Sequence, residues 1–208
     1  MIISPSTINH LFDGNDELYI FFKYHMNKLK HLGFDTDVNN IYTTSKIRKD
    51  KGILFENLCH QYIQQHHSNK VFTLKRTLNS DIDSLNTIKL MKNGIPIIIE
   101  ACFQNVINNN VKLIGYVDAL IRSDYVEHIF KYKPDIVNKE KNKPSYFSST
   151  YHYIPFDFKF AGIDIYKNEL YEMTSKKKSY INQLHFYMNL IENTQGYKPE
   201  YSGIIGKY

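Results

Sequence analysis

Asp157 and Lys159 stand two residues apart in Tyr153-Ile154-Pro155-Phe156-Asp157-Phe158-Lys159-Phe160, a run otherwise apolar or aromatic. Alternate side chains of a strand share a face. The carboxylate and the ammonium therefore project together, while Phe156, Phe158 and Phe160 anchor the opposite face; alone, such a pair also suits a solvated surface. Upstream, Ile114-Gly115-Tyr116-Val117-Asp118-Ala119-Leu120-Ile121 carries Asp118 inside an apolar run. Burying an aspartate is costly unless it is paired, hydrogen-bonded or bound to a metal, and β propensity works against it. Glu56 sits at the rim of a helical apolar stripe, Leu54, Phe55, Leu58, Cys59, Tyr62 and Ile63, with His60 one turn on.

If the strands holding Asp118 and Asp157 pair, the two acids lie side by side, and Glu56 can approach from the packed helix. Carboxylates from three segments suit Mg²⁺ or Mn²⁺, which prefer oxygen ligands and keep several waters. Lys159 can then orient an attacking water and offset charge on a phosphorane-like transition state. Gln183 and Tyr187 are spaced i,i+4 and share a helix face, with Tyr180 on the same side. An amide and a phenol there can hold a phosphate or a base edge without competing for the metal, and they equally suit the polar flank of a core helix.

The elements that must position these groups can be read along the chain. Ser4-Pro5 reads as an N-cap and first helical position, opening a helix to about Phe12. A second helix from about Glu17 to Lys30 stops near Gly33, which makes residues 1–45 a helical lead-in, with 34–44 as a connection. The apolar stripe predicts a helix over about 51–66. Residues 68–94 read as an irregular excursion or a hairpin. Strands are expected at Ile95 to Phe103, Val111 to Arg122 and His152 to Phe160, the first two joined by an Asn-rich turn. A Lys-, Asn- and Pro-rich stretch, about 127–150, reads as a mobile surface insertion. After a loop from Gly162 to Thr174, a helix over about 175–193 buries Ile181, Leu184, Met188 and Ile191, and a strand at 201–206 closes the chain. The expected fold is α/β: one domain over 1–208, its core at 50–208 ordered helix, three strands, helix, strand, with a central mixed sheet flanked by helices.

Composition sets outer bounds. The chain has 208 residues, 42% hydrophobic and 23% charged, enough for one sizeable core. No run approaches the roughly 18 apolar residues of a membrane span, so a soluble protein is expected, and the N-terminus lacks the pattern of a secretory signal. The two cysteines, Cys59 and Cys102, are far apart and without metal-ligand spacing, which fits a reducing intracellular setting, cytoplasm or a nucleus-like compartment. An iron–sulfur cluster held by four cysteines is excluded. The net charge of +5 is compatible with a polyanionic partner. Bases cluster at Lys46-Ile47-Arg48-Lys49, around Lys131 to Lys143 and at Lys176-Lys177-Lys178, while several acids lie in apolar segments. Acids at a site with bases around its rim suit a metal centre acting on a phosphate ester.

Taken in order, Gly52-Ile53-Leu54-Phe55-Glu56, Gly115-Tyr116-Val117-Asp118, Asp157-Phe158-Lys159 and Gln183-Leu184-His185-Phe186-Tyr187 resemble the motifs of the PD-(D/E)XK nuclease superfamily, and within it the RecB-type exonuclease branch with its Gln-x-x-x-Tyr motif. The resemblance covers about residues 52 to 206. Many members of that branch carry histidine where this chain has Glu56. The resemblance implies a restriction-endonuclease-like core and a Mg²⁺- or Mn²⁺-dependent deoxyribonuclease. Glu56, Asp118, Asp157 and the backbone carbonyl of Phe158 would hold one or two ions, and Lys159 would position the water. Gln183 and Tyr187, with Tyr180 beside them, would align the strand, and the product would carry a 5′-phosphate. Exonuclease action on DNA ends or single strands is favoured, since nothing resembles a sequence-reading module. The resemblance also implies DNA repair or recombination and a helicase or larger polypeptide as possible partner, with no membrane. Two rivals remain open: a catalytically silent nuclease-fold domain that binds nucleic acid or a partner, and an endoribonuclease on the same fold.

Overall fold

The apolar runs around Ile98, Leu120 and Ile154 must pair their backbone polar groups within the chain once buried, and they do so as neighbouring strands. The computed structural model describes residues 2–5, 43–108, 111–130, 135–162 and 178–206. In chain order its elements are β1 (Ile2–Ile3), α1 (Thr43–His66), β2 (Val71–Thr73), α2 (Ser80–Lys92), β3 (Ile97–Asn108), β4 (Val111–Arg122), α3 (Val126–Ile129), α4 (Asp135–Glu140), β5 (Tyr153–Lys159), α5 (Lys178–Gln195) and β6 (Gly203–Gly206).

The protein is an α/β protein with a mixed six-stranded sheet in the order β2-β3-β4-β5-β6, β1 pairing with β4 off that path. β3 and β4 form the expected hairpin, β4 and β5 are antiparallel, and β5 and β6 run parallel. β4 carries two partners on one edge: β5 along Ala119–Arg122 and β1 along Lys112–Leu113. Helices cover both faces. Met91 of α2 and Leu184, Leu190 and Ile191 of α5 pack with Ile98, Phe103, Leu120 and Tyr153. Ile63 of α1, Val126 of α3 and Val137 of α4 pack with Ile97, Ile121, Ile154 and Phe158 on the other side. No helix among the described residues is long and apolar enough to cross a membrane.

Three features depart from the sequence expectation. Residues 68–94 hold β2 and the helix α2, not an irregular excursion or a hairpin. The helix is hard to see because its inward side is polar: Asp83, Ser84 and Thr87 are buried with Met91, while Ile82 and Leu85 are exposed. Thr87 Oγ1 accepts the Cys102 amide at 2.9 Å, and Asp83 accepts the Tyr116 hydroxyl at 2.8 Å, so hydrogen bonds do the docking that apolar contacts usually do. The helix is capped by Asn79, whose side chain accepts the Asp81 amide.

Second, α1 is turned relative to the predicted stripe. Ile63 is buried and Phe55, Glu56, Cys59 and His60 are half-buried, whereas Leu54, Leu58 and Tyr62 are exposed. Third, the stretch read as a mobile insertion carries α3, α4 and a fully buried Glu140. Glu140 accepts hydrogen bonds from the Tyr197 hydroxyl at 2.6 Å and the Glu200 amide at 3.0 Å, and lies 3.3 Å from His152. These bonds tie α4 to the segment leading into β6. The lead-in helices expected from Ser4 to about Phe12 and from about Glu17 to Lys30 lie almost wholly outside the described residues. Ile2 and Ile3 ahead of them form β1, and α1 begins at Thr43, inside the stretch read as a connection, and not near residue 51.

Gly115 decides how closely α5 approaches β4. A Cβ there would lie 2.9 Å from the Tyr187 ring and 3.1 Å from Leu190. Gly115→Ala should therefore destabilise the protein by about 1–3 kcal/mol through overpacking, seen as a lower urea midpoint; an unchanged midpoint would refute that packing role.

Candidate functional site

The register of the central strands lines up three acids. In the β3–β4 ladder Ile99 pairs with Ala119 and Ala101 with Val117, which sets Glu100 opposite Asp118. In the β4–β5 ladder the last pair is Ala119 with Phe156, and one step further Asp118 faces Asp157. There the backbone ladder stops, and the Phe158 amide donates to Asp118 Oδ2 at 2.7 Å. A carboxylate has replaced a carbonyl as the acceptor.

The row also breaks the alternation of the sheet. Ile99 and Ala119 belong to the core beneath α1, whereas Ala101 and Val117 belong to the core beneath α5. Glu100 has φ 62°, a left-handed conformation uncommon for a residue other than glycine and costly inside a strand. The break lets groups from both helical layers reach the same acid row, Glu56 from α1 beside Glu100 and Gln183 from α5 at Asp157.

Asp157 is fully buried. Its Oδ2 lies 2.6 Å from Lys159 Nζ, an ionic contact without the angles of a hydrogen bond. Its Oδ1 accepts from Gln183 Nε2 at 3.2 Å, and the same amide lies 2.8 Å from the Tyr187 hydroxyl. Burial pushes the Asp157 carboxyl up to about 7, with Lys159 opposing and Asp118 adding to the rise. Lys159 Nζ sits 5.5 Å from the centre of the Tyr180 ring, a cation–π contact.

Glu56 is likewise pushed up to about 7, first by burial, then by the charge of Asp118 and by the neighbouring Glu100. Two neighbouring carboxyl groups favour a proton on one of them, and a cation can take that proton's place. Glu56, His60 and Glu100 each offer a ligand atom within 4.8 Å of the others. Burial keeps the His60 pKa below the ordinary imidazole value, which favours the neutral form that ligates metals. Its Nε2 is sealed from solvent with no partner. Arg76 pairs with Glu100 at the edge of the cluster through its Nε.

The predicted residues are thus drawn together unequally. Asp118 lies beside Asp157 and near Glu56, Lys159 pairs with Asp157, and Gln183 reaches the site through Asp157 and Tyr187. The expected trio of Glu56, Asp118 and Asp157 is spread more widely than Glu56, His60 and Glu100, the three-donor group that lies within 4.8 Å among the described residues. The sequence reading passed over Glu100 and gave His60 no role. The signal for Glu100 was present: an acid interrupting Ile97-Ile98-Ile99-Glu100-Ala101-Cys102-Phe103, the same anomaly that marked Asp118. Several carboxylate oxygens and one unpartnered imidazole nitrogen fit Mg²⁺ or Mn²⁺, the nitrogen suiting Mn²⁺ better. Comparison with protein-family models, with curated proteins and with solved structures returns no match.

Both raised carboxyls favour the folded state while they are protonated. Stability of the metal-free protein should therefore be highest below about pH 4, as far as these groups contribute, and fall as the pH rises to about 7. Thermal melts in chelator should show this slope, and Asp157→Asn should flatten it; an identical slope in wild type and variant would contradict the assignment.

Proposed function

We propose that the chain is a divalent-metal-dependent nuclease of the PD-(D/E)XK superfamily, RecB-type, with a restriction-endonuclease-like core, and that it hydrolyses DNA phosphodiester bonds as an exonuclease. The observation that carries the reading is the junction of Asp118, Asp157 and Glu56 with Lys159 ion-paired at the Asp157 carboxylate. Supporting it are the order of the four motifs and the mixed sheet between helices.

Glu56, Asp118, Asp157 and the Phe158 carbonyl would hold one or two Mg²⁺ or Mn²⁺, with His60 and Glu100 as further donors. Such an ion supplies an acidified water and a Lewis acid at the phosphoryl oxygen. The chain's own groups do the rest. Lys159, fixed between Asp157 and the Tyr180 ring, holds the nucleophilic water by hydrogen bonding and offsets charge on the phosphoryl oxygens. Gln183 fixes the rotamer of Asp157, and Tyr187 fixes Gln183, so both act on positioning as well as on the strand. The bond from phosphorus to the 3′-oxygen would break, with the 3′-oxygen leaving as a hydroxyl and the phosphate staying on the 5′ end of the product, as the family resemblance implies.

Asp157→Ala and Lys159→Ala should each lower Mg²⁺- or Mn²⁺-dependent cleavage of end-labelled DNA by roughly a hundredfold or more while circular dichroism stays native. Single- and double-stranded DNA and RNA, each with metal or chelator, form the substrate panel. Undiminished cleavage by both variants would overturn the proposal, and preferential cleavage of RNA would replace its substrate.

A further inference from the structure

A cleft of about 560 Å³ has Asp118, Gln183 and Tyr187 in its lining together with Arg76, Leu78 and Ile114. A phosphodiester presented to Asp118 and Asp157 must leave the rest of its strand somewhere, and this cleft is lined by Asp118 and by Gln183, which bonds Asp157. Its volume is that of a site for a small ligand, a match for about one or two nucleotides of a single strand.

Among the described residues that line this cleft, Arg76 is the cation. Its guanidinium lies 4.5 Å over the Tyr116 ring, and its Nε bonds Glu100. The side chain is 50% exposed, and among the described residues no acceptor other than Glu100 bonds it. An arginine held on one face by an aromatic ring and at one edge by a carboxylate has lost much of its rotamer freedom. Its terminal amino groups then present a fixed fork suited to phosphate oxygens. The wall that carries it is itself anchored: the Thr77 amide donates to both oxygens of Asp83 at 3.1 Å, and Asp83 also accepts the Tyr116 hydroxyl. Next along that wall Leu78 is wholly exposed. A leucine at the lip of a cleft beside charged groups offers apolar surface to a sugar or a base.

An acid-rich centre repels a polyanion, so a strand needs a fixed positive charge next to the acids in order to enter. From this we infer that Arg76 binds a phosphate flanking the scissile one in a single, unpaired strand lying in the cleft, with Leu78 against its sugar or base. The inference rests on the nuclease reading for the nature of the ligand and adds the residue and the strandedness. Both contacts, phosphate and apolar surface, are sequence-independent.

The test is fluorescence anisotropy with fluorescein-labelled oligothymidylate, and with a labelled duplex, over a range of salt. It is run in chelator, where no cleavage consumes the probe, and again with Ca²⁺. Wild type should bind the single strand more tightly than the duplex. Arg76→Gln should weaken binding by about tenfold and reduce the magnitude of the salt slope by about 0.7, the value for one phosphate contact on a single strand. Arg76→Lys, which keeps the charge and loses the fork, should recover part of the affinity. Leu78→Asp, at a fully exposed position that cannot disturb the core, should weaken binding similarly. Wild-type affinity and salt slope in both Arg76→Gln and Leu78→Asp would overturn the inference and leave the nuclease reading intact. Equal affinity for duplex and single strand would overturn the strandedness. Failure of the wild type to bind any DNA would remove the nuclease reading and this inference with it.

Discussion

Like charges set side by side on adjacent strands govern the middle of this molecule. Glu100, Asp118 and Asp157 occupy one row across β3, β4 and β5, in a sheet whose neighbouring positions are fully buried isoleucine, alanine and valine. Ionised carboxylates in such surroundings repel one another and lose hydration. The fold answers in several ways at once. Lys159 pairs with Asp157, the Phe158 amide bonds Asp118, Arg76 pairs with Glu100, and burial drives protons onto Asp157 and Glu56.

Those compensations shape the architecture around the row. The β4–β5 ladder ends where the two aspartates would face each other, because the Phe158 amide is turned to a side chain. β3 adopts a positive φ at Glu100, and the inward and outward positions exchange beyond it. α5 comes close enough for Gln183 to reach Asp157 only because Gly115 leaves room for the Tyr187 ring. Backbone distortion and buried acid cost stability, and a scaffold built for stability alone would place valine or isoleucine at these three positions. Their joint presence fits the proposed exchange of protons for a divalent cation.

Much of this was legible from residue types. The alternation in Tyr153 to Phe160 gave Asp157 and Lys159 a common face, and Phe156 and Phe158 do lie in the opposite core, while Phe160, expected there too, follows the end of β5 and is exposed. The approximate places of α1, β3, β4, β5, α5 and β6 followed from periodicity, as did the buried Leu184, Met188 and Ile191 of α5, whereas Ile181, expected beside them, is half-buried. Other features were illegible for physical reasons. α2 docks through Thr87 and Asp83, so its inward side has no apolar period. α1 has apolar residues on two sides, and only packing chooses Ile63 over Leu58. Glu140 sits in a Lys- and Asn-rich stretch that looks solvated until Tyr197 and Glu200 supply donors from far along the chain. Glu100 was marked by the same anomaly as Asp118 but belonged to no motif. Its proximity to Glu56 and His60 depends on a register that composition does not reveal.

The central claim is that this acid row binds a divalent cation in place of protons. The most direct test is calorimetric titration of Mn²⁺ into the purified protein near pH 6.5, in two buffers with different ionisation enthalpies. Saturable binding with release of protons is predicted, the release shrinking above pH 8 where Asp157 and Glu56 are already ionised, and Asp118→Asn should weaken the binding. A folded protein that takes up no Mn²⁺, or takes it up without releasing protons near pH 6.5, would contradict the account.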